Sequence, residues 1–222
     1  MTDEMPALEV GWLGPADPPG VDLVEPSRAD AVATDGRAGV REALAAGHDP
    51  ILAVDPPGAM PGVTRDRLGE AIAALAGGRW TLARQPVIVA AAGSRTVRAA
   101  VDLAVVADSP DHVATITVAA DGLLDRVRAD GVVVTTPAGS TRYARAVGGP
   151  VMTDGRLGVV PMGPFETDPD HWVLETVAIT VDGPATVVAD GAAVAELPGE
   201  CSIEVGATDS IGLIDPGIET DG

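Results

Sequence analysis

Two kinds of apolar pattern alternate over the first third of the chain. Short apolar runs typical of buried strands occur at Ala7–Leu13, Asp30–Arg37 and Pro50–Asp55. Helical periodicity follows at Gly39–His48 and again at Arg65–Ala76, where Leu68, Ile72 and Leu75 fall on one face. Strands that alternate with helices predict βαβ units and a mainly parallel sheet.

From Trp80 onward the pattern changes to many short strands. They are predicted at Trp80–Ala83, Pro86–Ala91, Ala100–Ala107, Val113–Ala119, Val132–Thr136, Leu157–Pro161, Glu175–Val181, Thr186–Ala189 and Cys201–Val205. Asp-Gly turn signals separate several of them, at Asp121-Gly122, Asp154-Gly155 and Asp182-Gly183. With a single embedded helix, this pattern indicates a β-rich, sandwich-like domain.

The predicted fold class is therefore α/β + β. We expect a small N-terminal α/β Rossmann-like domain over residues 1–84, a β-rich domain over 85–212 and a disordered acidic tail over 213–222. The sequence shows no internal repeat.

Charge narrows the possible functions. The formal net charge is −19, and all 14 basic residues are arginine. An acidic surface of this kind is typical of a salt-adapted, halophilic cytoplasmic protein. Nucleic-acid binding is not expected, since no basic stripe is present, and the lack of lysine excludes a Walker-type phosphate loop.

Cysteine and histidine give no sign of a metal centre. Cys201 is alone, and His48, His112 and His171 show no ligand spacing. The sequence predicts neither a signal peptide nor a membrane-length apolar run, so we expect a soluble intracellular protein without membrane partners.

The most informative stretch is Asp130–Pro150, DGVVVTTPAGSTRYARAVGGP. Its β-branched run predicts a strand buried on both faces, and Pro137 is expected to stop ladder pairing. Ser140 or Thr141 is predicted to cap a helix that ends near Gly148. Four hydroxyls would then surround the helix N-terminus and suit an anion or a sugar: Thr135, Thr136, Ser140 and Thr141.

The string TTPAGSTRYARAVGGP resembles the signature of the NAD kinase family, which runs approximately DG-(apolar)₃-STPTGSTAY-(x)₄-GGP. Arg142 replaces the usual alanine, and Arg145 falls where a small or apolar residue is common. The resemblance implies that the β-rich domain binds NAD. The residues it implicates are Arg128, Asp130, Thr135, Thr141, Arg142, Tyr143, Ala144, Arg145 and Ala146.

A second family motif, Gly-Gly-Asp-Gly-Thr, corresponds to the segment that contains Asp35-Gly36. The resemblance makes Asp35 the candidate base on the ribose 2′-hydroxyl, with Gly36 and Arg37 near phosphate. Ala33, Thr34 and Arg37 stand where the family has glycine, glycine and threonine. Thr34 brings a Cβ towards the expected phosphate position, and Arg37 either supplies a compensating phosphate contact or marks a lost donor site.

A third family element, an Asn-Glu pair, falls at Val101-Asp102, where Asp102 is the candidate replacement for glutamate. Asp190-Gly191 and Ile211–Pro216 resemble the last β-turn and closing segment of the family.

The resemblance implies an NAD kinase that transfers a phosphoryl group from ATP or polyphosphate to NAD with Mg²⁺. Family members are homo-oligomers in which neighbouring subunits help to complete the site, so a dimer or tetramer is expected. Two alternatives stay open. The first is a catalytically impaired paralogue that binds NAD(H) or NADP as a sensor or regulatory subunit, and the second is a kinase of the same superfamily that acts on another molecule.

Overall fold

The computed structural model describes residues 5–16, 18–108, 113–152, 155–165 and 170–218. His112 and the Asp154-Gly155 turn signal fall wholly or partly outside these residues, as does the side chain of Tyr143. The chain divides into two compact units, Met1–Gln85 with Ile211–Gly222, and Pro86–Ser210.

The described residues form fifteen strands. They are β1 Val10–Leu13, β2 Ala31–Asp35, β3 Ile51–Val54, β4 Thr81–Ala92, β5 Arg95–Ala99, β6 Asp102–Ala107, β7 Ala114–Ala120, β8 Leu123–Ala129, β9 Gly131–Thr135, β10 Leu157–Met162, β11 Trp172–Leu174, β12 Thr176–Val181, β13 Ala185–Ala189, β14 Ala192–Leu197 and β15 Cys201–Asp215. The helices are α1 Gly36–Ala46, α2 Leu68–Ala76 and α3 Pro137–Gly139, which a π-helical turn continues over Ser140–Ala144.

The first unit is a parallel α/β layer. Strands β1, β2 and β3 pair in parallel in that order, and Leu213 near the end of β15 pairs in parallel with Ile51 of β3. All four residues of β3 are buried, as its continuous apolar run predicts. Leu68 and Leu75 of helix α2 pack in one hydrophobic core with Leu52 and Val54 of β3. The predicted Rossmann-like arrangement is confirmed.

The second unit is a sandwich of two antiparallel sheets. One contains the order β15-β12-β7-β8, with β4 beside β15 and β5 beside β4; the other has the order β11-β10-β9-β6-β13-β14. Both sheets contribute to one core, for example through Ile116 and Ile179 from the first and Leu103 and Leu157 from the second. Alternating burial along β12 and β13 fits a sheet with one face in this core.

Strand β9 is covered on both faces. Val132 and Val134 enter the sandwich core, whereas Val133 packs with Ala144 and Val160 in a second cluster on the opposite side. This is the physical reason for an unbroken valine run where other strands alternate.

Several strands were not predicted, namely Arg95–Ala99, Leu123–Ala129, Trp172–Leu174 and Ala192–Leu197. Charged or small residues interrupt the apolar pattern of three of them, and Trp172–Leu174 is only three residues long, so pairing partners rather than composition define these strands. Pro86 does not divide β4, which is one strand where two were expected. Leu213 and Ile214, which the predicted tail included, are fully buried in β15.

Candidate functional site

In the first unit, Asp35 lies where β2 ends and α1 begins. Its backbone is still extended (φ −99°, ψ 122°), and Gly36 follows with φ +59°. Gly36 is the one glycine that this chain keeps from the Gly-Gly-Asp-Gly-Thr motif, and its left-handed backbone favours glycine at that position. The Asp35 side chain is 41% exposed, so a ligand can reach its carboxylate.

Thr34 points away from the open side of this loop. Its side chain is fully buried, and its hydroxyl donates to the carbonyl of Leu13 at 2.9 Å. Gly39 of α1 packs so closely that a Cβ there would overlap the Thr34 hydroxyl. The Thr34 side chain therefore fills an interior position, and the expected obstruction of phosphate by this Cβ does not arise.

A basic side chain that the sequence did not indicate completes this edge of the sheet. Arg65 forms an ion pair with Asp35, and its Nε lies 3.7 Å from Asp55 Oδ2. Its backbone N–H also donates to Asp55 Oδ1 at 3.1 Å, and its guanidinium lies 6.0 Å from the centre of the Trp12 ring. Arg37 follows in the first turn of α1 and is half-buried. The carboxyl edge of this sheet thus presents carboxylate, guanidinium and helix N-terminus together.

In the second unit, the structure brings Asp102 and Thr135 together. They are directly opposed residues of the antiparallel β6–β9 pair, although the motifs that contain them are far apart in sequence. Asp102 is 5% exposed and Thr135 is 1% exposed. Val101, which replaces the family's asparagine, is fully buried and accepts a hydrogen bond from the Thr136 N–H at 3.0 Å through its carbonyl.

The helix that follows β9, here called the site helix, consists of α3, its π-helical continuation Ser140–Ala144 and two further helical residues, Arg145 and Ala146. It begins earlier than predicted: Thr136 is the residue before the helix, and Pro137 occupies its first turn. Proline already has the helical φ and lacks an N–H that would need a partner there. Capping by Ser140 or Thr141 is therefore wrong. Single π-helical turns occur frequently at functional sites.

Three of the four expected ligand hydroxyls are buried instead. Thr135 Oγ1 donates to the Thr136 carbonyl at 3.1 Å, and Thr136 Oγ1 donates to the Ala100 carbonyl at 2.9 Å. Ser140 Oγ donates to the Pro137 carbonyl and accepts the Met152 N–H, at 2.8 and 2.9 Å. These hydroxyls hold the strand and helix in place, and Thr141 is the partly exposed member of the set.

The site helix divides its candidate residues between two faces. Ala144 is 1% exposed and packs against β9, so its side chain faces inward. Arg142, Arg145 and Ala146 are exposed. Two guanidinium groups three positions apart make this face attractive to phosphate in an otherwise strongly acidic chain.

Arg128 and Asp130 lie at the other end of β9 from Thr135. Asp130 directly precedes β9 and Thr135 ends it, so five residue steps of about 3.3 Å place these two residues about 17 Å apart. Both are exposed; the Arg128 guanidinium lies 5.8 Å from the centre of the Phe165 ring, and the Phe165 N–H donates to the Arg128 carbonyl at 2.9 Å. Phe165 is itself 66% exposed, and no sequence pattern singled it out.

Within the described residues, no three His, Cys, Asp or Glu side chains cluster as a metal centre would require. Nor does any helix in the described part of the chain have the length and apolarity needed to span a bilayer.

Comparison with known proteins places residues 102–210 in the family described as ATP-NAD kinase C-terminal domain. The NAD kinase of Methanosarcina barkeri is 40% identical over 79 residues, which are 32% of this chain and 29% of that protein. The NAD kinase of Methanoculleus marisnigri is 34% identical over 118 residues, 49% of this chain and 43% of that protein. The matches therefore span less than half of either relative.

Solved structures share the fold. Yeast NADH kinase in complex with NADH superposes with a TM-score of 0.73 and 16% identity, over 88% of this chain and 64% of that one. An Archaeoglobus fulgidus NAD kinase in complex with ATP gives a TM-score of 0.68 and 21% identity, over 84% and 77%.

Proposed function

The chain belongs to the NAD kinase family, and from this premise we propose that it phosphorylates NAD to NADP, with ATP or polyphosphate as donor. The observation that supports this most directly is the place of Asp35. An accessible carboxylate lies at the carboxyl edge of a parallel sheet, next to a helix N-terminus and two arginines. Ligands of open α/β sheets bind at such edges.

In the proposed reaction, the Asp35 carboxylate orients the ribose 2′-hydroxyl and accepts its proton. The 2′-oxygen forms a bond to the terminal phosphorus of the donor, and the bond from that phosphorus to the bridging oxygen breaks, so that ADP or shortened polyphosphate leaves. Arg37 and the Gly36 N–H at the start of α1 would contact the donor phosphates.

Mg²⁺ is the metal that this reaction implies. It is usually bound by one or two carboxylates together with substrate phosphates, and Asp35 and Asp55 offer hard oxygen ligands at one edge. These residues therefore fit the ion. Arg65 already contacts both carboxylates, so Mg²⁺ would either displace its guanidinium or bind the carboxylates beside it. When bound, Mg²⁺ would neutralise charge on the donor phosphates.

For NAD, we propose a site formed by Asp102 and the exposed face of the site helix. Arg142 and Arg145 would face the pyrophosphate. Thr141, Tyr143 and Ala146 are the further residues of this helix that we propose for the NAD site. Thr135 and Ala144 would contribute by packing, since both side chains are buried.

Arg128 and Asp130 are better explained by a homo-oligomer. Because they lie at the opposite end of β9 from Thr135, we propose that they contribute to the NAD site of a neighbouring copy. Mixing an Asp35→Asn protein with an Asp130→Ala protein tests this. In a dimer with shared sites, random exchange of subunits should restore about a quarter of the unsubstituted activity. If the mixture is inactive although subunits exchange, each copy forms its site alone.

The decisive experiment measures NADP formation in high KCl with Mg²⁺, NAD, and either ATP or polyphosphate. Asp35→Asn should abolish turnover and leave NAD affinity within a few-fold, because only the proton acceptor is lost. Asp22→Asn is the matched control, since it removes an equal charge from an exposed aspartate of the same unit. Unchanged turnover in the Asp35→Asn protein would contradict the catalytic assignment. We propose a cytoplasmic location for the protein.

The Arg65–Asp35 ion pair favours a second candidate, an NAD(H)- or NADP-binding sensor that no longer transfers phosphate. A carboxylate already engaged by a guanidinium is less available to a substrate hydroxyl. Saturable NAD binding by calorimetry without NADP formation would support the sensor, whereas turnover above a no-enzyme control would support the kinase.

A further inference from the structure

Asp190 is a buried carboxylate that the proposed reaction does not use. It belongs to the turn between β13 and β14, where Asp190 has φ +47° and Gly191 has φ +82°. Two consecutive left-handed residues are typical of a type I′ hairpin turn, which Asp-Gly favours. Turn chemistry alone explains the residue type but not its burial, because Asp190 is only 1% exposed.

The carboxylate of Asp190 holds three consecutive backbone N–H groups. Oδ2 accepts the Ala100 N–H at 2.8 Å, and Oδ1 accepts those of Val101 and Asp102 at 2.8 and 3.1 Å. The Asp190 N–H donates in turn to the Asp102 carbonyl at 2.9 Å. The turn that leads into β6 is therefore bound to the hairpin by four hydrogen bonds.

The same turn is held on its carbonyl side by the start of the site helix. Thr136 Oγ1 lies 2.9 Å from the Ala100 carbonyl and 3.1 Å from the Val101 carbonyl, and the Thr136 N–H reaches the latter at 3.0 Å. Gly139 packs against the Val101 carbonyl, where a Cβ would overlap that oxygen. Ala100–Asp102 is thus fixed between Asp190 and the site helix.

We infer that Asp190 is a positioning residue for nucleotide binding, acting through the backbone of Asp102. This rests on the proposed function, in which Asp102 contacts NAD. Without the carboxylate, three buried N–H groups lose the acceptor that they use here, and a buried N–H that loses its acceptor is costly. Loss of the carboxylate should let the turn move, and with it the Asp102 side chain opposite Thr135.

Charge supports a structural coupling of the two acids. Burial raises the pKa of Asp190, its three N–H donors act in the opposite direction, and the neighbouring Asp102 raises it further. Asp190 and Asp102 are 1% and 5% exposed, and an ordinary hairpin turn does not need a buried acid.

Asp190→Asn tests the inference with little change of shape. Asparagine tolerates the left-handed backbone and keeps one acceptor oxygen, but its NH₂ group would face an N–H donor. The protein should fold with reduced thermal stability, bind NAD about tenfold more weakly and keep its Michaelis constant for ATP within about twofold. Asp182→Asn is the matched control, because Asp182 also precedes a glycine in a turn but accepts a single N–H, that of Thr115, at an exposed site.

Thr136→Val is the second variant, in case Asp190→Asn does not fold. It removes the hydroxyl on the carbonyl side of the same turn and should also weaken NAD binding relative to ATP. If either folded variant binds NAD as tightly as the unsubstituted protein, the inference is wrong and the residue only stabilises the fold. If the unsubstituted protein binds no NAD, the proposed function fails, and the inference fails with it.

Discussion

The guanidinium of Arg65 is paired with the carboxylate of Asp35, the residue proposed to accept the proton from NAD. Their side chains are 49% and 41% exposed, so the pair adds little to folding stability. Its importance is chemical, since it fixes the direction of a carboxylate that would otherwise be free to rotate.

Removing this partner should impair chemistry more than binding. We expect Arg65→Gln to lower kcat about tenfold, because the carboxylate loses its fixed orientation, and to change the Michaelis constant for NAD by less than twofold. Arg67→Gln is the control, since Arg67 pairs with Glu70 at 2.8 Å. A rise in kcat after Arg65→Gln would instead mean that Arg65 restrains Asp35, as the sensor candidate implies.

Arg37 should act on the phosphoryl donor. If it replaces the phosphate contacts of the missing family residues, Arg37→Ala should raise the Michaelis constant for ATP more than that for NAD. Steady-state kinetics with each substrate varied in turn measures this split. Arg41→Ala, on the same helix and next to Glu42, controls for loss of charge. A larger effect on NAD would refute the assignment.

The left-handed backbone at Gly36 should be sensitive to any side chain. We expect Gly36→Ala to lower the free energy of unfolding by about 1 kcal/mol through backbone strain alone, because a Cβ there meets no atom within 4 Å. Gly69→Ala in α2 is the matched variant; its Cβ also meets nothing within 4 Å, and it should raise that free energy by up to about 1 kcal/mol. Denaturant titration distinguishes the two, and equal effects would contradict the backbone argument.

Salt should stabilise the protein. A net charge of −19 creates self-repulsion that KCl screens, since the Debye length falls from about 10 Å at 0.1 M to about 3 Å at 1 M. The midpoint of thermal unfolding should therefore rise by several degrees over that range. Sucrose at matched osmolality is the control, because it is excluded from the protein surface but does not screen charge. A midpoint that is flat or falls with KCl would contradict salt adaptation.

Cys201 should react slowly with thiol reagents. Burial raises the pKa of its thiol above the ordinary value, and neighbouring Glu200 adds to the shift, so less thiolate is present at pH 8. Iodoacetamide should modify the native protein several-fold more slowly than the urea-unfolded chain, and raising the pH should speed the native reaction. Because Cys201 is the chain's single cysteine, mass spectrometry follows it without ambiguity. Equal native and unfolded rates would contradict the shift.

The sequence by itself determined the fold class and the main motifs. The valine run of β9 required cover on both faces, and the cluster around Val133 supplies it. Hydrophobic periodicity and turn residues are properties of the local sequence, so both could be recognised before the structure was known. Strands such as Leu123–Ala129 were missed because their apolar pattern is weak and only their neighbours in the sheet define them.

Only the tertiary structure decided how residues distant in sequence meet. It paired Arg65 with Asp35, opposed Asp102 to Thr135, and set Asp190 beneath the turn at Val101. It also turned the hydroxyls of Thr135 and Thr136 inward, where the sequence had suggested a ligand site. Each of these depends on strand order and register, since a side chain's partner across a sheet is set by the pairing of the strands rather than by its neighbours along the chain.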